Sequence, residues 1–396
     1  MLLGGLLYVA GSTIFYMMPP YLAFLGGRLS LDPGQLGMLA AVESLAIAIT
    51  SLLGPFWIGR AARHPEGRRI CIVVGAVACV AGNLATGFAG SFQMLLVARF
   101  LVGLLGEGVI YTTSFVILGA VRDIDRAFAI ALTAAVVYGA AVTAISGTLE
   151  HVFPALGPIS ALVGIALAVF PFLGWLTPAA KTPAAVVAPA AVPGGWNWVG
   201  IIGLLAQAVW FGAPGAFWTF VEQVATDKGV PSGTAEMAVS FGELTGLLGC
   251  VVAALLGNRL GRLKPIVVAT AGMIMAAIVY QLSDGAVALA AFLAIFYGFW
   301  NYGTVYQMSF VTELDASGRT AVAMPAAQVF GLSFGPYVAG RLILGHGDGA
   351  VTASTIVFAL TGLGLYLICF ARQRRAGRHL GKFRAPATDD NPYPAG

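Results

Sequence analysis

Long apolar runs make up most of the chain, and short polar or charged segments separate them. A helix needs about 20 consecutive apolar residues to span a bilayer. The pattern predicts an all-α polytopic membrane protein with twelve transmembrane helices, at residues 3–26, 34–58, 70–89, 93–120, 127–149, 156–177, 196–222, 233–256, 265–283, 285–312, 320–344 and 350–371.

The composition supports a lipid-embedded protein. Of 396 residues, 59% are hydrophobic and 10% are charged, whereas soluble domains carry about 25% charged residues. The four cysteines lie inside predicted helices without metal-ligand spacing, so we expect no disulfide, no metal and no cofactor. The formal charge of +4 follows the membrane topology and does not indicate a nucleic-acid partner.

Positive charges are distributed unevenly between the two sides of the predicted membrane. All but four of the 21 Lys and Arg residues fall on the side of both chain ends; the exceptions are Arg28, Arg99, Lys228 and Arg341. Cytoplasmic loops carry the excess of Lys and Arg in membrane proteins. We therefore expect both termini in the cytoplasm and the chain in a bacterial-type inner membrane.

A Pro- and Ala-rich segment divides the chain into two sets of six helices. This segment, "TPAAKTPAAVVAPAAVPGG" at residues 177–195, is typical of an extended linker. The predicted domains are an N-terminal bundle at 1–176, a C-terminal bundle at 196–371 and a basic cytoplasmic tail at 372–396.

The two halves contain matching segments. "GLLGEGVIYTTSFV" at 103–116 and "GFWNYGTVYQMSFV" at 298–311 share six identities at a separation of 195 residues. Glu43 and Glu243 lie in equivalent helices, 200 residues apart. Six helices per half give both copies the same orientation, so we predict a parallel repeat about an axis along the membrane normal.

On these features the chain resembles the major facilitator superfamily. "NRLGRLK" after the eighth helix is similar to a loop motif of that family, with Asn258 in place of its Asp, and "GRAARHPEGRR" is a more distorted first copy. "RFLVG" matches a fourth-helix element through Arg99 and Gly103. "GLSFGPYVAG" contains the family's Gly-Pro packing motif through Gly331, Gly335, Pro336 and Gly340, but in the eleventh helix instead of the fifth.

The resemblance implies two pseudo-twofold-related six-helix bundles that alternately expose a central site. It also implies a cytoplasmic gate at the two loop copies, formed by Arg60, Arg68, Arg69, Asn258, Arg259 and Arg262. The alternative for these residues is that their charge only sets the topology.

Three glutamates lie inside predicted helices, where an ionisable group is by default functional. Glu43 and Arg99 are expected at similar depth in neighbouring helices, so we predict a buried ion pair between them. The repeat places Ala294 where the first half has Arg99, which leaves Glu243 without that partner. Glu43, Glu107 and Glu243 are the predicted proton-coupling residues; the alternative for Glu243 is a carboxyl group that stays protonated.

Glu107 falls near the predicted midplane and is replaced by Tyr302 in the repeat. In the resembled superfamily helices 1, 4, 7 and 10 line the central cavity, which implies that Glu107 faces the tenth helix across the axis and contacts the substrate. The alternative is that it packs against another helix of its own bundle. The other predicted substrate-binding residues are Tyr16, Trp210, Trp218, Trp300, Asn301, Tyr302, Tyr306 and Gln307.

The expected function is secondary transport of a small organic solute, coupled to protons, by a monomer. Uptake is slightly favoured, because the antiporter form of the Gly-Pro motif is missing from the fifth helix. The alternatives are a proton-driven efflux antiporter and a transporter-like sensor without transport. No nucleotide-binding loop and no nucleophile–base arrangement is found, so an enzyme is not expected.

Overall fold

The computed structural model describes residues 2–61, 65–119, 124–175, 198–257, 259–314 and 319–382, which are helical apart from short connections. In the first half the helices are α1 Leu2–Tyr16, α2 Met18–Leu29, α3 Pro33–Ala61, α4 Pro65–Gly87, α5 Phe92–Leu101, α6 Gly108–Gly119, α7 Ile124–Ala144, α8 Ser146–Val152 and α9 Ile159–Leu167. A π-helical turn, Val102–Glu107, joins α5 to α6, and a 3-10 segment, Phe170–Trp175, follows α9. In the second half they are α10 Trp198–Asp227, α11 Ser232–Leu256, α12 Leu263–Leu282, α13 Ala286–Glu313, α14 Arg319–His346 and α15 Gly349–Lys382.

Each of the twelve predicted crossings has a helical counterpart. Eight are single spans long and apolar enough to cross a membrane, and two are bent pairs, α1 with α2 and the main part of α7 with α8. The other two are the short apolar stretch Ile159–Gly174 and α14, which is 28 residues long and has two internal prolines. The predicted linker 177–195 lies outside the described residues. The predicted tail differs from expectation at its start, because α15 continues as a helix to Lys382.

Prolines set the bend of 56° between α1 and α2. Pro19 and Pro20 fall in the first turn of α2, where a backbone N–H has no intrahelical acceptor in any case. The same residues could not continue α1, since each lacks the N–H that an uninterrupted helix would use. The first crossing therefore changes direction near the middle of its length.

Helix pairings in the two bundles repeat. In the first, α1 packs on α7, α3 on the α5–α6 span, and α4 on both that span and α9. In the second, α10 packs on α14, α11 on α13, and α12 on both α13 and α15. The predicted pseudo-twofold arrangement of two six-helix bundles is therefore confirmed.

The bundles meet through two equivalent helix pairs, α3 with α14 and α7 with α11, and through α2 with α10. We call the end of the molecule at Leu29, Gly87, Asp227 and Leu282 the loop end, and the opposite end, where α1 begins, the terminal end.

Backbone-to-backbone contact closes the α3–α14 pair near the loop end. A Cβ atom on Gly37 would overlap the carbonyl oxygen of Pro336, and one on Gly340 would overlap that of Pro33. One turn further in, the hydroxyl of Ser333 donates to the carbonyl oxygen of Ala41 over 2.6 Å. This close approach requires glycine on both helices.

The other residues of the predicted packing motif also lie at close helix contacts. A Cβ atom on Gly331 or Gly335 would overlap carbonyl oxygens of α10, and one on Gly103 would meet the carbonyl oxygen of Glu43 at 2.5 Å. Gly331 and Gly335 therefore fix α14 to its own bundle, whereas Pro336 and Gly340 contact the partner bundle.

The glycine contact between the bundles can be tested on α14. Gly340→Ala would place its methyl group against the backbone at Pro33, and overpacking of this kind costs about 1–3 kcal/mol. Gly345→Ala is the matched control, because its Cβ atom would meet no other atom within 4 Å. In thermal unfolding of the purified protein, we expect a lower melting temperature for Gly340→Ala alone. Equal melting temperatures would contradict the contact.

Candidate functional site

Arg99 is fully buried in α5 and all its described polar partners come from its own bundle. Its Nη2 pairs with the carboxylate of Glu43 from α3 and lies 3.3 Å from Oε1 of Glu107. Its Nη1 donates to Oδ1 of Asn83 in α4 over 2.6 Å. Its Cζ lies 5.1 Å from the ring centroid of Tyr21 in α2. We call these five residues the Arg99 cluster.

The cluster contains two carboxyl groups for one guanidinium. Glu43 and Glu107 are at most 1% exposed, and their Oε2 atoms have no hydrogen-bond partner among the described residues. Two ionised carboxylates would leave one negative charge uncompensated inside the membrane, at a cost of at least about 2.5 kcal/mol. A single proton shared between the two carboxyl groups makes the cluster neutral.

The π-helical turn brings Glu107 to Arg99. Residues eight apart in a regular α-helix point about 80° away from each other, whereas residues seven apart differ by about 20°. A π-turn accommodates one extra residue, so the eighth residue takes the direction that the seventh would have. Gly103 and Gly106 lie in this turn, where the absence of side chains lets α3 and α4 approach it.

The sequence-based prediction was that Glu107 faces the tenth helix across the axis. The structure places Glu107 against Arg99 and shows no described contact between it and Trp300, Asn301 or Tyr302. Glu107 therefore packs inside its own bundle, which was the alternative. A direct contact between Glu107 and substrate stays a prediction, and this geometry does not support it.

Glu243, the second-half counterpart of Glu43, lies in a different environment. It is 1% exposed, and neither of its carboxyl oxygens has a hydrogen-bond partner among the described residues. It interacts electrostatically with Tyr16 of α1 and Tyr297 of α13. Glu243 therefore lies within electrostatic range of one tyrosine from each bundle.

The aromatic residues around Glu243 contact one another. The ring of Tyr297 lies 4.8 Å from that of Trp218 and 5.1 Å from that of Trp300, between centroids. The indole N–H of Trp218 donates to the carbonyl oxygen of Phe15 in the first bundle over 2.8 Å. We call Tyr16, Trp218, Glu243, Tyr297 and Trp300 the seam group; Tyr16, Trp218 and Trp300 were predicted as substrate-binding residues.

Other predicted substrate-binding residues lie inside the second bundle. Trp210 is fully buried and donates to the hydroxyl of Thr270 in α12 over 2.9 Å. The hydroxyl of Tyr306 donates to the carbonyl oxygen of Gly257 at the end of α11, and the ring of Tyr302 packs 5.1 Å from that of Tyr306. These contacts fasten helices together, and a substrate role for the three residues stays a prediction.

Asn301 and Gln307 differ in how well their amide groups are satisfied. The amide of Asn301 donates to the carbonyl oxygen of Tyr297 one turn earlier, over 3.2 Å. Gln307 is fully buried, and its amide oxygen and nitrogen have no partner among the described residues. Gln307 therefore remains a candidate polar contact on α13.

The predicted gate is only partly described. Asn258 and the side chain of Arg60 lie outside the described part of the structure, and Arg69 and Arg259 are exposed. Arg68 is half-buried. Arg262 donates to Oε1 of Glu313 in its own bundle, over 2.6 Å from Nη2 and 3.1 Å from Nε, so a gate between the bundles stays a prediction.

Two cations at the loop end have a role that the sequence analysis missed. Arg28 donates to the carbonyl oxygens of Thr86, Gly87, Ala89 and Ala155. Lys228, 200 residues later, donates to those of Tyr280, Gln281 and Ser283. Each cation caps the carbonyl end of the third crossing of its bundle, which is α4 in the first bundle and α12 in the second. Positive charge is favourable at this end of a helix. The shared 200-residue offset was the signal that could have identified them.

Carboxyl groups from both bundles also approach each other near the loop end. Glu222 of α10 is buried, and its Oε2 has no hydrogen-bond partner among the described residues. It interacts electrostatically with Glu236 of α11 and Glu150 of α8. Like Asn83 and Tyr21 in the Arg99 cluster, Glu150 and Glu236 carried no motif that would have marked them in the sequence.

Solved structures share this fold at low sequence identity. The nucleoside transporter NupG has a TM-score of 0.68 and 14% identity over 93% of this chain and 98% of its own. A partially occluded, inward-open xylose transporter XylE from E. coli has a TM-score of 0.67 and 13% identity over 91% and 94%. A bacterial homologue of the human lysosomal transporter Spinster, inward-facing and occupied, has 0.64 and 15% over 93% and 95%.

The comparison with curated protein sequences finds no match. The family model of the Major Facilitator Superfamily matches residues 1–336, which include the Arg99 cluster, the seam group and most of both bundles. The chain therefore belongs to the Major Facilitator Superfamily of membrane transporters.

Proposed function

We propose that the chain is a proton-coupled secondary transporter of a small organic solute that works by alternating access. The Arg99 cluster is the observation that supports proton coupling most strongly. Its two carboxyl groups and one guanidinium are neutral when one proton is bound, and they lie in contact with α2, α3 and α4 of one bundle. Gain or loss of that proton changes the charge of the bundle interior and hence the preferred packing of these helices.

The contacts between the bundles support alternating access. The hydrogen bonds from Ser333, Ser240 and Trp218 to the first bundle are single bonds to backbone carbonyl oxygens, and the glycine contacts at Gly37 and Gly340 also lie toward the loop end. Such contacts can separate without breaking a helix. With the Arg-rich terminal end in the cytoplasm, the α3–α14 contact closes the two bundles against each other on the outer side.

The structure favours export by proton exchange over uptake of an anion. Arg99 is the cation best placed in depth to bind an anionic solute, but it is fully buried and held by Glu43, Glu107 and Asn83. The ionisable group at the seam between the bundles is instead the carboxyl group of Glu243. The xylose and nucleoside transporters with the same fold carry unrelated solutes, so the fold does not select the substrate.

Proton coupling can be measured in proteoliposomes with an imposed pH gradient. Labelled D-xylose, uridine and tetraphenylphosphonium would serve as probes of three chemical classes. We expect at least one probe to move faster than in protein-free liposomes, and its flux to fall when a protonophore collapses the gradient. A variant with Gln at positions 43, 107 and 243 should lose the dependence on the gradient.

A flux that is the same with and without the gradient would contradict proton coupling. A gradient-dependent flux that persists unchanged in the triple variant would assign the coupling to other residues.

Charge compensation in the Arg99 cluster can be tested by thermal unfolding. Arg99→Ala leaves two carboxyl groups without their cation, and loss of one partner of a buried ion pair costs about 3–5 kcal/mol. We expect a large fall in melting temperature. Adding Glu43→Gln and Glu107→Gln removes the uncompensated charge and should restore most of the loss. If Arg99→Ala melts like the unchanged protein, the guanidinium does not compensate these carboxyl groups.

A further inference from the structure

We propose that the seam group binds an organic cation, with Glu243 as the charge partner and the surrounding aromatic rings as the walls of the site. The inference rests on the proposed transport function, since it names the substrate class of that transporter. Three observations support it: the difference between the two halves at Glu43 and Glu243, the position of Glu243, and the lack of a hydrogen-bond partner for its carboxyl group among the described residues.

The comparison between the halves shows what Glu243 lacks. In the first bundle Glu43 pairs with the guanidinium of Arg99. At the equivalent position of the second bundle stands Ala294, and no salt bridge to Glu243 is found among the described residues. A cationic substrate would supply to Glu243 the positive charge that Arg99 supplies to Glu43.

Glu243 lies on the face of α11 that meets the first bundle. Ser240 is three residues earlier, on the same face of the helix, and donates its hydroxyl to the carbonyl oxygen of Ala140 in α7 over 2.8 Å. The neighbouring Gly139 packs directly against Cβ of Tyr16. These contacts place this face of α11 at the junction of the bundles.

Among the described residues, neither protonation state of Glu243 finds the partners that it needs. An ionised carboxylate would need a cation or hydrogen-bond donors, and a protonated one still has an O–H donor and a carbonyl acceptor. An unsatisfied buried polar group costs about 1–3 kcal/mol, and most such groups in proteins have partners. A ligand that carries a positive charge, with or without N–H groups, removes this cost.

The titratable groups around Glu243 do not supply a positive charge. They are Tyr16 on α1, Tyr297 on α13, and Cys250 two turns along α11, which interacts with Tyr16. Their neutral forms are uncharged, and none of them can form a cation. The site is therefore acidic overall.

Aromatic rings suit the rest of such a ligand. Tyr297, Trp218 and Trp300 form a connected group of rings, and Tyr297 interacts electrostatically with Glu243. Phe211 extends the group, with its ring centroid 6.4 Å from that of Trp300. Cations are attracted to the faces of Trp and Tyr rings, and flat apolar groups stack on them. Together with one carboxylate, these rings fit a bulky monovalent cation better than a sugar, which needs many hydrogen-bond partners.

Cation binding would be coupled to proton release at the same oxygen atoms. When the cation arrives, the O–H bond of the protonated Glu243 breaks, the proton leaves to the solvent, and the carboxylate pairs with the cation. One monovalent cation thus replaces one proton, and the site carries the same net charge before and after. With an inward proton gradient, this competition drives export.

Equilibrium binding in detergent tests the inference separately from transport. Tetraphenylphosphonium and tetraphenylborate have nearly the same size and shape and opposite charges. We expect the purified protein to bind tetraphenylphosphonium at least tenfold more tightly than tetraphenylborate, and Glu243→Gln to weaken tetraphenylphosphonium binding at least tenfold. Glu222→Gln, which alters another buried glutamate of the same bundle, should leave the affinity unchanged.

Proton release provides a second measurement that needs no variant. In weakly buffered solution, we expect about one proton released for each tetraphenylphosphonium bound to the unchanged protein. Equal affinities for the two probes, an affinity unaffected by Glu243→Gln, or binding without proton release would each overturn the inference.

These outcomes are distinguishable from failure of the proposed transport. Probe binding with the expected charge preference but no gradient-dependent flux would support the cation site and contradict the proposed transport function. Gradient-dependent flux of D-xylose or uridine, without a charge preference in probe binding, would support the proposed transport function and contradict the cation site.

Discussion

A charge inside a membrane-embedded bundle has to be compensated by groups of the protein, because lipid offers none. This constraint organises the first bundle around Arg99. Its guanidinium draws Glu43, Asn83 and Tyr21 from three neighbouring crossings, and the local helix geometry changes so that Glu107 can join them. The same constraint draws attention to Glu243, which is also buried, at 1% exposed, and has no such set of partners among the described residues.

Much of the fold could be predicted from the sequence, because lipid imposes long apolar helices and duplication imposes the repeat. The twelve crossings and the six-plus-six arrangement follow from apolar length and periodicity. The proximity of Glu43 to Arg99 follows from their equal depth together with the resemblance to the superfamily fold, in which their helices are neighbours. The direction of Glu107 does not, since it depends on the helical pitch between residues 102 and 107. Asn83 and Arg28 were likewise missed, because a lone polar residue or a loop cation does not reveal which carbonyl or guanidinium it will meet in space.

Equivalent positions of the two bundles have different environments. The first bundle pairs Glu43 and Glu107 with Arg99. The second leaves Glu243, the counterpart of Glu43, without a hydrogen-bond partner among the described residues and within electrostatic range of Tyr16 and Tyr297. The loop-end cations Arg28 and Lys228, in contrast, have the same function in both copies, because each bundle ends its third crossing with carbonyl groups that need a donor.

The π-turn has a consequence for how duplicated halves diverge. The segments at 103–116 and 298–311 align without a gap, yet a Cβ atom on Gly108 would meet Thr50 of α3, whereas one on Gly303 would meet Ala269 of α12. Residues that match in the alignment therefore face different neighbours once the chain has passed the turn. Two copies of a duplicated helix can thus direct aligned residues toward different neighbouring helices. A local change of helical pitch is enough, even when the flanking residues are identical. Transfer of a functional residue between such copies by alignment alone would misplace it by a quarter of a helical turn or more.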